Sequence, residues 1–147
     1  MAVVALPVAA AESPSTWPDR DLAKFVFEHL DLTSFRNSTG PRRRPGQRFF
    51  KDLNVHPDRV SETEAASTQG EWLYSVRILR TYDYSGDGRT EVLVCFSDVA
   101  QNGGSYSTIS SYVLQFVDGR AIALAFDDEN RAEEAGCKSA KSRADAA

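Results

Sequence analysis

Residues 72–97, WLYSVRILRTYDYSGDGRTEVLVCFS, contain two stretches of alternating side chains on either side of a loop rich in Gly and Asp. Trp72, Tyr74, Val76 and Ile78 alternate with Leu73, Ser75, Arg77 and Leu79; Val92, Val94 and Phe96 alternate with Leu93, Cys95 and Ser97. A period of two residues is that of a β-strand, and Ser85-Gly86-Asp87-Gly88 supplies residues tolerant of positive φ for the turn between them. An antiparallel hairpin is therefore expected. Two further runs follow: Tyr112, Leu114 and Phe116 against Val113, Gln115 and Val117, then Ile122, Leu124 and Phe126 against Ala121, Ala123 and Ala125. Asn102-Gly103-Gly104 and Asp118-Gly119 provide the remaining turns, so the four runs are expected to form a four-stranded antiparallel β-meander.

Upstream, Thr16-Trp17-Pro18-Asp19 carries a helix-start pattern, with Thr at the cap and Pro in the first turn. Leu22, Phe25, Val26, His29 and Leu30 recur at helical spacing, which predicts an amphipathic helix from Asp19 to about Leu32. Its apolar stripe would lie over the small alanines of the last strand. The expected fold class is α+β: an N-terminal amphipathic helix packed on the four-stranded meander. Residues 60–69, polar and small before Gly70, read as irregular or a short helix.

The 147 residues, 41% hydrophobic and 10% aromatic, fit one domain. A formal net charge of -4 gives no general attraction to nucleic acid or to an anionic membrane. No stretch approaches the apolar length of a membrane span. The uncharged residues 1–11 place Ala9 and Ala11 before Glu12 as in the A-x-A cleavage site of a secretory signal peptide, although the basic n-region is missing. The expected organisation is a signal peptide, truncated at its start, over residues 1–11, a single domain over 16–129 and a flexible tail over 130–147. The expected location is periplasmic or secreted.

The two cysteines, Cys95 in a strand and Cys137 in the tail, form an even count that suits an oxidising compartment. A Cys95–Cys137 disulfide would pin the tail to the sheet; Cys95 is equally at home as a small buried side chain.

The loop between the first two strands is the one place that hints at chemistry. Asp83, Ser85 and Asp87 take the first, third and fifth positions of a calcium loop, with Gly88 at the sixth, the Arg89 carbonyl at the seventh and Glu91 at the ninth. The twelfth position is Val94, where an EF-hand requires a bidentate Glu, so a standard EF-hand is excluded. Over these nine residues the pattern resembles the Asp-x-Asp/Ser-x-Asp-Gly-x-x-Asp/Glu hairpin loops of FG-GAP-type extracellular β proteins, which implies a Ca²⁺ ion as the only candidate cofactor. The same residues also make a plain turn with solvated carboxylates.

Between Arg36 and Arg59 stand seven basic and two acidic residues. Arg36, Arg42, Arg43, Arg44 and Arg48, with Asn37, are candidate contacts for phosphates or partner carboxylates, because guanidinium offers a planar fork; a solvated loop is the plainer alternative. The run lacks interleaved aromatics, which argues against nucleic acid. Asn37-Ser38-Thr39 is also a glycosylation sequon, relevant only in a eukaryotic source. Tyr106 and Tyr112, in the stretch 105–112 with its small polar neighbours, form a second candidate contact surface. Residues 35–43, the Val-Cys-Phe strand and the Asn-Gly-Gly turn together resemble small secreted bacterial proteins of uncharacterised function, a likeness that implies no activity.

Common reactive centres are missing from the sequence. There is no G-x-S-x-G, P-loop, G-x-G-x-x-G or CxxC, and the two histidines lack zinc-ligand spacing. The expectation is a non-enzymatic exported protein, inhibitor-like or immunity-like, that binds a protein or cell-envelope component. The alternatives are a calcium-stabilised extracellular or periplasmic module, and a hydrolase in which Asp83, Asp87 or Asp98 converges with His29 or His56.

Overall fold

In the computed structural model, which describes residues 16–35, 40–101, 107–124 and 137, the strands run as one six-stranded antiparallel sheet. They are β1 (Arg59–Val60), β2 (Glu64–Gln69), β3 (Trp72–Tyr82), β4 (Glu91–Ala100), β5 (Ser107–Val117) and β6 (Arg120–Ala123), each paired with its sequence neighbour. This corrects both the strand count and the α+β class: the described residues are mostly β, with one short α-helical span. The extra strands come from the stretch read as irregular. Ala65, Ala66 and Ser67 are all buried, so small side chains hide the period-two signal, and pairing decides the conformation: Ala65 faces Val76 and Ser67 faces Tyr74. Gly70, at φ 57, makes the tight β2–β3 turn, where Gln69 pairs with Trp72.

Helix α1 spans only Leu22–His29, shorter than the stripe suggested. It starts after Asp21, held in the left-handed region at φ 55, and no side chain caps it. It stops because Leu30 is extended and bridges β6: Leu30 pairs with Ala121, and the Asp31 N–H donates to the Ala121 carbonyl at 2.9 Å. The outer edge of β6 is thereby partly covered, which satisfies an open backbone acceptor on the sheet rim. The expected start pattern Thr16-Trp17-Pro18-Asp19 lies ahead of the helix, and Trp17 donates its indole N–H to the Thr90 carbonyl at 2.8 Å.

One face of the sheet carries the core. Tyr74, Val76, Val92, Val94, Phe96, Tyr112 and Leu114 meet Ala23, Val26 and Phe27 of α1 and Leu30 just after it, together with Phe35, which follows the 3₁₀ turn Leu32–Ser34, and Phe50, which opens the 3₁₀ turn Phe50–Leu53. Tyr112, proposed from sequence as a contact residue, is buried and stacks on Phe35 at 4.4 Å, so its ring is core rather than surface. On the opposite face Leu93, Cys95, Ser111 and Val113 are buried. Here Cys95 is joined to Cys137 in a disulfide, with 5.4 Å between Cα atoms. A bulge between Ile78 and Arg80 shifts the β3–β4 register just before the acidic loop, as bulges do where a strand end must be re-aimed.

Residues 1–15, the Asn102-Gly103-Gly104 turn and, apart from Cys137, the segment 130–147 lie outside the described residues. Among those described, no helix is long and apolar enough to cross a membrane.

Candidate functional site

The acidic loop folds around its own backbone. Asp83 accepts from the Gly86 N–H through Oδ1 and from the Gly88 N–H through Oδ2, each at 2.9 Å. Gly86 and Gly88, at φ 72 and 83, allow those amides to turn inward. Asp87 Oδ1 accepts from the Arg89 N–H at 2.8 Å; this bond first, and the nearby Ser85 hydroxyl second, hold its carboxyl below the usual range. Glu91, the first residue of β4, is fully buried, and its carboxylate accepts from the Tyr84 N–H at 3.0 Å and the Ser85 hydroxyl at 2.6 Å. One carboxylate oxygen from each of Asp83, Asp87 and Glu91 lies within 4.8 Å of the other two. Each carboxylate oxygen has a second lone pair, so these hydrogen bonds fix the acids without exhausting them. Ser85 and Arg89 hold the acids in place through the bonds just described.

The basic loop is tied down at both ends. At its start the Gly40 N–H donates to Asp98 Oδ2 at 3.0 Å. At its end the Arg44 N–H donates to Gln47 Oε1, the Gln47 N–H returns to the Arg44 carbonyl, and the Arg48 and Phe49 amides donate to Asp52 Oδ2. Those last two bonds, Phe49 first, draw the Asp52 carboxyl below its usual value. Arg42 and Arg44 are exposed and Arg43 half-buried, and among the described residues none of the three forms an ion pair. Arg48 has a different role. Its Nε lies 3.7 Å from Asp31 Oδ2, where Arg120 Nη1 also donates at 3.1 Å. Arg36, Asn37 and Tyr106 lie outside the described residues.

Two carboxylates went unnoticed as structural centres in the sequence. Asp31, buried, binds the Thr33 amide at 3.0 Å and joins the end of α1, the basic loop and β6 through its two arginines. Asp98 is 2% exposed on the core side of β4. Parity was the available signal for Asp98, because positions 92, 94, 96 and 98 share a face. For Asp31, which follows the apolar stripe of α1, no local pattern points to burial.

The carboxylates do not gather into the constellation a hydrolase would need. Asp98 stands seven residues along β4 from Glu91, about 24 Å at about 3.4 Å per residue. His29 stacks on Phe25 at 3.9 Å with Nδ1 2.8 Å from the Phe25 carbonyl, and His56 is exposed. A groove of about 740 Å³ opens beside the acidic loop, with Trp17, Leu22, Arg89, Phe116 and Asp118 in its walls.

No protein-family model, curated protein or solved structure matches the chain. Nothing in those comparisons points to an enzyme.

Proposed function

We propose that the protein is a non-enzymatic binding module of a periplasmic or secreted setting, which presents Arg42, Arg43 and Arg44 to an acidic protein surface in the manner of an inhibitor or immunity protein. The observation that carries this reading is a loop of three guanidiniums without ion-pair partners among the described residues, held at both ends by hydrogen bonds. A loop already ordered loses less entropy on docking, and planar guanidiniums pair bidentately with carboxylates. The local charge runs against the net charge of -4, so recognition would be confined to this patch. The Cys95–Cys137 bond supports an oxidising compartment, since disulfides are rare in the cytosol.

The test is capture of a partner from periplasmic or culture extract, followed by affinity measurements with the purified pair. Replacing Arg42, Arg43 and Arg44 by Ala is expected to weaken binding about a hundredfold, from about 1 kcal/mol per guanidinium. Raising the salt concentration should weaken the wild-type complex in the same direction. Undiminished binding by the triple variant would exclude the basic loop.

A second reading, a calcium-stabilised module, is favoured by the convergence of Asp83, Asp87 and Glu91 within 4.8 Å. Hard cations prefer oxygen ligands, and a ligand bound only by the folded state must stabilise it. At a hundred times the dissociation constant, Ca²⁺ is expected to add about 2.7 kcal/mol and raise Tm by about 10 °C. The gain should vanish when Asp83 and Asp87 are both replaced by Asn, which keeps an oxygen acceptor for each turn. A wild-type melting curve indifferent to millimolar Ca²⁺ would remove this reading.

A further inference from the structure

We propose that Asp98 is a proton-operated latch on the basic loop: its carboxylate holds Gly40 in place, and protonation of that carboxylate frees the Gly40 end of the loop. The latch is a property of the free protein and does not rest on the binding reading. The geometry is unusual for a buried acid. Among the described residues Asp98 Oδ2 accepts a single hydrogen bond, from the Gly40 N–H at 3.0 Å, while Oδ1 is buried with no hydrogen-bond partner. A buried carboxylate normally needs several donors or a cation to offset its lost hydration.

Among the described residues neither is found in contact with the carboxylate. Across the sheet Asp98 faces Tyr74 on β3 and Thr108 on β5, and beyond Tyr74 lies Ser67 on β2, whose hydroxyl is itself buried and unpartnered. Along β4 on the same face stands Phe96, covered by Phe35. Asp31, the other buried acid near the loop, is engaged with Arg48 and Arg120. Among the described residues the cation close to the contact is Arg43, whose Nη1 would lie 3.8 Å from a Cβ built on Gly40; it forms no ion pair with Asp98. Gly40 itself adopts φ 94, a conformation that side chains rarely tolerate.

Two opposing forces therefore meet at one bond. Burial favours the neutral acid and pushes the carboxyl above its ordinary value, and the Gly40 N–H, which favours the anion, offsets this only in part. The sign follows. Because the folded-state value is raised, the associated stability is fully present below the ordinary Asp range and is lost as pH rises through the raised value. The charged latch is thus held closed by the fold against its own desolvation. On acidification Asp98 takes up a proton while the sheet stays folded, and a charge-assisted bond to Gly40 becomes a weaker neutral one. The bonds from Asp52 and Gln47 keep the far end of the loop in place.

A ¹H–¹⁵N NMR pH titration of the intact protein, with amide exchange measured along the series, tests the latch. The Gly40 amide proton is expected to move upfield as pH falls, with a midpoint above the ordinary Asp range. Across that midpoint the exchange of Gly40 and Arg42, corrected for the intrinsic pH dependence, should quicken about tenfold. Val94 and Leu114 amides should hold their protection. Asp98→Asn should abolish the titration and leave the loop at its acid-form exchange rate at every pH. A Gly40 amide that does not titrate, one that titrates in the ordinary Asp range, or a loop in Asp98→Asn as protected as the wild type at neutral pH would each overturn the proposal. If Asp98→Asn does not fold, the wild-type titration decides alone.

Discussion

Reduction of the Cys95–Cys137 bond is expected to lower Tm by about 12 to 20 °C, the largest change a single covalent event should cause in this protein. The bond closes a loop with a sequence separation of 42, for which the loss of unfolded-state entropy corresponds to about 4 kcal/mol. Cys95 lies in β4, an interior strand of the sheet, and both cysteines are nearly inaccessible, at 2% and 1% exposure. Their link holds Cys137 against the sheet face that contains Leu93 and Val113, opposite the face covered by α1. Reduction would therefore remove the cross-link between that face and residue 137. Calorimetry with and without reductant reads the effect, and Cys137→Ser should melt with the reduced wild type. A Tm change below about 2 °C would mean that the unfolded chain gains little freedom from the cut, contrary to the loop-closure account.

Much of the sheet was legible because its strands alternate. The runs that begin at Trp72, Val92 and Tyr112 lie on β3, β4 and β5; the last run lies on β6 as far as Ala123, and its residues 125 and 126 lie outside the described residues. Asp118 and Gly119, both at positive φ, join the last two as the Asp-Gly pair suggests. Strands β1 and β2 were not legible. A buried Ala-Ala-Ser run has no amphipathic pattern, and only pairing with Ala65 opposite Val76 makes it a strand. The helix was over-extended for a related reason: Leu30 fits the apolar stripe, yet its backbone satisfies its hydrogen bonds on β6 rather than in a further turn. The acidic loop was readable by spacing, since its residues are close in sequence. Tyr112, in contrast, was read by composition as surface although its parity with Leu114 puts it on the core face. Asp31 gains its role from Arg48 and from Arg120, 89 residues away, a kind of partnership that no local pattern reports.

The same long-range logic makes Phe50→Ala the most damaging single core substitution, with an expected loss of about 3 to 5 kcal/mol. Phe50 opens a 3₁₀ turn, Phe50–Leu53, and the Asp52 carboxylate within it gathers the amides of Arg48 and Phe49 just before it. Its ring is fully buried, stacks on Phe27 of α1 at 4.3 Å, and meets Tyr74 and Phe96 at 5.4 and 6.3 Å. One side chain thus joins the helix to β3 and β4. The residues beside it carry the C-terminal anchor of the basic loop, where the Leu32 N–H donates to the Arg48 carbonyl at 2.9 Å. Truncation would leave a cavity lined by three aromatic rings that cannot collapse without moving α1, which is why the cost should sit in the upper range for core aromatics. Phe50→Leu, which keeps most of the volume, should cost under about 1.5 kcal/mol. Urea unfolding with an unchanged m-value provides the measurement. A loss below about 1.5 kcal/mol for Phe50→Ala would show that the site closes easily, and the ordering of the arginine loop would then have to come from Asp31 and Asp98 rather than from the aromatic core beneath it.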